Sequence, residues 1–125
     1  MTVGMIQGFA ASDWVNARET ARSLLIQRVR KPDPFIVYSD LVAQLPLAIE
    51  ASDPRLSVLL DEISSSEHEL GRGFLTVLVV RKGRTRIPGP GFFEMARKHG
   101  FEFVDDELFF LQEYRRLIEY WRGQA

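Results

Sequence analysis

Residues 74–93 read FLTVLVVRKGRTRIPGPGFF, and the fold turns on how this stretch is read. Phe74 to Val80 is β-branched and apolar on both parities, the pattern of a strand covered on two faces rather than one. Lys82-Gly83 supplies a turn, and Arg84 to Ile87 can return as a second, shorter strand before Pro88 ends the pairing. The stretch therefore predicts a β hairpin whose tip carries Arg81, Lys82, Arg84 and Arg86. Pro88-Gly89-Pro90-Gly91 follows as a rigid corner that buries Phe92 and Phe93, with glycines suited to positive φ or to close backbone packing.

Outward from the hairpin the chain reads as helices. Asp13 to Arg30 places Trp14, Ala17, Ala21, Leu24, Leu25 and Val29 at helical spacing, with Ser12 as cap and Lys31-Pro32-Asp33-Pro34 as stop. Phe35 to Tyr38 is a short extended piece, and Ser39 caps a helix bearing Leu41, Val42 and Leu45 that Pro46 limits to about two turns. Asp53-Pro54 opens a third helix, because the aspartate accepts from free amides while proline at the first helical position needs no acceptor. Its stripe is Leu56, Leu59, Leu60 and Ile63, with a break or bend expected near Ser64, where Ser64 to Glu67 matches a capping box, and an end at Gly71. Beyond the hairpin, Gly91 to His99 forms a short helix closed by Gly100, and Asp105, Asp106 and Glu107 open a long helix over about residues 105–122. The expectation is one α+β domain spanning residues 1–125: three N-terminal helices, a hairpin, a short helix and a long C-terminal helix.

Composition bounds what this domain can do. A chain of 125 residues with 46% hydrophobic and 26% charged residues buries one core. Its net charge of -1 provides no global field toward nucleic acid or an anionic membrane, so any such contact is local. With no cysteine, disulfides, thiolate catalysis and cysteine zinc sites are excluded. No segment reads as a signal peptide or approaches the length of a membrane span, so the expectation is a cytoplasmic protein that does not enter a membrane.

Three helices followed by a hairpin is the element order of a winged helix. Within it, Phe35-Ile36-Val37-Tyr38-Ser39-Asp40-Leu41-Val42 resembles the segment that begins the DNA-binding part of the winged-helix domain of alkyltransferase-like proteins. The likeness covers residues 35–80, about a third of the chain. It implies a winged-helix-like fold only. The family's Pro-Cys-His-Arg or Pro-Trp-His-Arg motif is absent here, and alkyl transfer requires a thiolate that this chain lacks.

Three functional readings follow. In the first, the chain is a non-catalytic module that contacts the backbone of double-stranded nucleic acid through Arg81, Lys82, Arg84 and Arg86, with Arg55 assisting, since each cation that meets a phosphate releases counterions. Asp61 and Glu62 on the third helix argue against reading of base edges. In the second, Phe109, Phe110, Tyr120 and Trp121 exceed what one core stripe of Leu111, Tyr114, Leu117, Ile118 and Trp121 needs, and they form the interface of a homodimer or of a complex with another protein. In the third, His68 acts as a hydrolase base oriented by Glu67 or Glu62, although neighbours on a helix point about 100° apart. Only His68 and His99 are present and neither lies in an HExxH pattern, so no metal is expected, and the Pro-Gly corner lacks the lysine and hydroxyl of a nucleotide loop, so no cofactor is expected either.

Overall fold

The computed structural model describes residues 4–83 and 85–123. The chain is α+β, with five α-helices and two small sheets among the described residues. It opens with an antiparallel pair, β1 (Met5–Ile6) and β2 (Phe9–Ala10), turned by Gln7 and Gly8 at φ 53° and 81°. Two successive positive φ values suit the right-handed twist of a tight hairpin. The chain runs straight on into α1 (Ala11–Arg28), which starts before Ser12, its first amide donating to Gly4 O at 2.8 Å. Trp14, Ala17, Ala21 and Leu25 are buried along α1, and the small alanines let it approach the third helix closely.

A second sheet pairs β3 (Ile36–Val37) with β4 (Val79–Val80) in parallel. Between them lie α2 (Tyr38–Val42) and α3 (Pro54–Glu69). The first residue of α2 is Tyr38, so Ser39 is not its cap. The opening of α3 is as expected: Asp53 Oδ1 accepts from Arg55 N at 2.9 Å and Pro54 holds the first helical position. The expected break at Ser64 does not occur, because the Ser64 hydroxyl faces the core and lies 2.5 Å from Thr76 Oγ1. The helix instead runs on to Glu69, and Gly71 follows at φ 74°.

Phe74 to Val80 is buried throughout, as its composition requires, but it is not one long strand. Leu75–Leu78 winds as a 3-10 turn and only Val79–Val80 pairs. The reason lies in the backbone. No partner strand runs beside residues 74–78, and buried amides without partners are costly. The turn supplies bonds internally, Val77 N to Phe74 O at 3.0 Å and Val79 N to Thr76 O, and side chains supply two more. Thr76 N donates to Ser64 Oγ at 3.2 Å, and Phe74 N donates to Glu113 Oε1 at 3.0 Å.

The predicted return strand is also absent among the described residues, and Arg84 lies outside them. Residues 81–83 and 85–87 form no strand, and Arg81 N donates to Ile87 O at 2.8 Å, closing the foot of this loop, while Ile87 N turns back to Thr85 O. The partner that Val79–Val80 does take is Ile36–Val37, in parallel.

Helix α4 (Pro90–Lys98) ends as predicted at Gly100, φ 92°, where Phe101 N reaches Ala96 O and Gly100 N reaches Arg97 O, the paired bonds of a Schellman closure. Helix α5 (Asp106–Arg122) is capped by Asp105, whose carboxylate accepts from Leu108 N at 3.0 Å. Its buried face is Phe109, Phe110, Glu113, Leu117 and Trp121, which corrects the expected stripe: Leu111 is 57% exposed. Glu113 belongs to the buried face because its carboxylate serves Phe74 N and is held by Arg116 at 2.7 and 3.0 Å. Among the described residues no helix is long and apolar enough to cross a membrane.

Removing the acceptors of the buried segment should cost more than the side chains' size implies. Glu113→Ala is expected to lower unfolding free energy by about 3 kcal/mol, because Arg116 loses its partner and an amide is stranded. Glu113→Gln, which still accepts, should lose only about 1 kcal/mol. Urea unfolding of the two variants checks this; equal losses would mean that the Phe74 amide is not what Glu113 satisfies.

Candidate functional site

The cationic loop rises from the end of β4, and a cavity of about 250 Å³ opens at its foot. Tyr38 at the start of α2, Ser57 and Asp61 on α3, Arg81 on the loop, and the Gly89–Phe92 corner line it. The corner is fixed from beneath, because the Gly89 amide donates to the Tyr38 hydroxyl oxygen at 2.8 Å. The two corner glycines differ in their packing. A Cβ at Gly91 would lie 3.0 Å from Ser57 Oγ, a tight approach, whereas one at Gly89 would lie in ordinary contact, 3.4 Å from Tyr38 Oη and 3.7 Å from Arg81 Nε. Neither glycine uses positive φ, so at Gly91 close approach rather than backbone conformation favours glycine.

Three titratable groups that line the cavity are perturbed: Asp61, Tyr38 and Asp53, the last held by Arg55. Burial pushes the Asp61 carboxyl up to about 6, with nearby Lys98 opposing and Glu94 reinforcing, and no hydrogen bond among the described residues offsets the desolvation. Burial also raises the Tyr38 hydroxyl, against the Gly89 hydrogen bond and the charge of Arg81.

The cations expected to meet nucleic acid divide into two sets. Arg81 and Lys82 are exposed, and the ion pairs among the described residues include neither. Arg86 is exposed but leans back, 3.4 Å from Asp33 Oδ2 and over the Phe35 ring at 5.5 Å. Arg55 is committed elsewhere: it binds Asp53 at 2.6 Å, donates to Gln7 O at 3.0 Å and lies over the Phe9 ring at 4.3 Å. It therefore ties the N-terminal hairpin to α3 instead of facing outward. That pairing lowers the Asp53 carboxyl and raises the Arg55 guanidinium.

The hydrolase grouping is dispersed. The Glu67 carboxylate is fully buried between Arg22 and Arg72, with Arg72 Nε at 2.7 Å. His68 instead packs among rings, with centroids 4.9 Å from Phe74, 5.0 Å from His99 and 5.5 Å from Phe101. Burial, then His99 and Arg116, lower its pKa. Glu62 accepts from Arg18 at 2.8 Å and from the Trp14 indole at 3.2 Å. No dyad forms between His68 and either carboxylate, since each carboxylate is saturated by other donors. No group of three His, Asp or Glu suited to hold a metal ion occurs among the described residues.

The aromatic interface is likewise corrected. Phe109, Phe110 and Trp121 are buried at 6–7% exposure, and only Tyr120 is half-exposed. Phe109 stacks on Phe103 at 4.0 Å, and Phe110 meets Phe35 at 5.9 Å, so the aromatics that looked surplus fill the domain's own core. The large apolar side chains that α5 leaves exposed among the described residues are Leu108 and Leu111, and Val104, just before the helix in sequence, is exposed too. In the sequence Asp61 stands out only as an obstacle to base readout, and Ser57 is not a site candidate; the structure makes both cavity residues, and the Pro-Gly-Pro-Gly corner was the one signal of something packed close against it.

Asp61 gives the site a pH signature. Its carboxyl titrates near 6 when folded and near 3.8 when free, so between those values the folded state binds more protons and stability falls as pH rises. Asp61→Asn is therefore expected to be more stable than the parent above pH 6, by on the order of 1 kcal/mol after discounting its exposed half, with the difference vanishing near pH 4. Taking the difference between the two proteins removes the opposite trend from His68. Urea midpoints across that range check it, and an unchanged difference would place the titration elsewhere.

Compared with known proteins, the chain matches no family model, no curated protein and no solved structure.

Proposed function

We propose that this protein is a non-catalytic binding module that contacts the phosphate backbone of double-stranded nucleic acid through the loop of residues 81–87. The observation that carries this reading is the pair Arg81 and Lys82, exposed on a loop anchored at both ends. Arg81 lies beside Gly89, the residue that precedes α4. The start of α4 carries no side-chain cap, so its positive end adds to the local field felt by a phosphate. With a net charge of -1, binding is confined to this patch and sensitive to salt.

In this reading the chain is a winged-helix-like module with the loop in the place of the wing, as the resemblance of residues 35–80 implies, acting in the cytoplasm. Asp61 and Glu62 on α3 disfavour readout of base edges, so binding is independent of sequence. A duplex titrated by fluorescence anisotropy tests it. Changing Arg81, Lys82, Arg84 and Arg86 together to alanine is expected to weaken binding at least about tenfold and to flatten the slope of log K against log salt by roughly 2 to 4. Equal affinity and slope in the parent and the variant would refute it.

A second reading, self-association, rests on Val104, Leu108 and Leu111, which are 103%, 52% and 57% exposed. Exposed leucines at successive turns of one helix are the kind of surface that a second copy covers. Light scattering of Leu108→Ser/Leu111→Ser against the parent tests it: a dimer that becomes a monomer supports it, and a parent that is already monomeric rejects it.

A further inference from the structure

The cavity at the foot of the loop has two chemically opposite walls. Asp61 offers a half-buried carboxylate that accepts no hydrogen bond from a side chain or backbone among the described residues. Arg81 offers a guanidinium beside Gly89 to the same cavity, and the ion pairs among the described residues do not join it to Asp61. The two charges therefore face one space without neutralising each other. Tyr38 stands within electrostatic reach of both. Its hydroxyl oxygen accepts from Gly89, which leaves the hydroxyl proton to donate into the cavity. Leu60 and Phe92 add apolar lining.

A volume of about 250 Å³ is room for about eight water-sized groups at ~30 Å³ each. Opposite charges held apart in a partly desolvated cavity favour a solute that carries both complements, since each end replaces water with a fixed partner. We infer that this cavity binds a compact dipolar molecule, with an ammonium or amidinium end on Asp61, a carboxylate or phosphate end on Arg81, and Tyr38 donating between them. This site is independent of duplex binding except for the shared Arg81.

The test uses β-alanine, 4-aminobutyrate and 6-aminohexanoate as probes of increasing length, with butylamine and butyrate as single-ended controls. Binding is read from the amide chemical shifts of Gly89 and Gly91 in proton–nitrogen correlation spectra of the whole chain. At least one probe should bind with Kd below about 1 mM, and both controls at least about tenfold more weakly. Asp61→Asn and Arg81→Ala should each weaken that probe about tenfold or more, while a dispersed spectrum shows that each variant is folded. Lys82→Ala/Arg86→Ala should leave probe binding intact while weakening duplex binding, so failure of one reading is separable from failure of the other. The inference is overturned if no probe moves these amides, if a control binds as tightly as the best probe, or if Asp61→Asn and Arg81→Ala bind like the parent.

Discussion

The structure depends on two side chains that satisfy the backbone of a buried segment of which only the last two residues pair with a strand among the described residues. Phe74 to Val80 lies wholly inside the domain, packed by α1, α3 and α5. A buried amide without a partner costs about 1–3 kcal/mol, so an apolar sequence alone could not hold this segment in place. Ser64 from α3 and Glu113 from α5 accept from its Thr76 and Phe74 amides, and the 3-10 turn provides acceptors for Val77 and Val79. The two helices are thereby positioned by polar bonds to one central strap as well as by apolar packing.

That arrangement explains the phase of α5 and the fate of its aromatics. Because Glu113 must point inward, the residues one turn to either side, Phe109 and Leu117, turn inward with it, and Leu108 and Leu111 are carried to the surface. The same logic applies at the end of α3. Glu67 is buried with Arg22 and Arg72 as its partners, so a residue that looks like half of a catalytic pair is a cross-link between α1 and the turn before the strap. The strap also fixes the point from which the cationic loop departs, and Tyr38 steadies the chain's return through Gly89.

What was legible in the sequence was local. Asp53-Pro54, Gly100 and Asp105 act through bonds within one helical turn, and each performs the predicted role. The buried character of Phe74 to Val80 was legible too, because composition alone demands it. Its winding was not, since that depends on whether a partner strand arrives, and the partner is only Ile36–Val37. Ser64 read as a helix breaker because its acceptor role needs Thr76 twelve residues away. The N-terminal hairpin escaped notice because Gln7 at φ 53° is an uncommon turn residue. The cavity combines residues from four separate stretches of chain, and no spacing rule reaches across them.

The central claim is that the strap is held by its side-chain acceptors and forms the most stable part of the domain. Native-state hydrogen exchange of individual amides tests this most directly. The Phe74, Thr76 and Val77 amides should exchange only through global unfolding, with a denaturant dependence equal to that of the whole domain. Exchange of Phe74 or Thr76 through local opening, at rates near those of residues 82–86, would contradict the account.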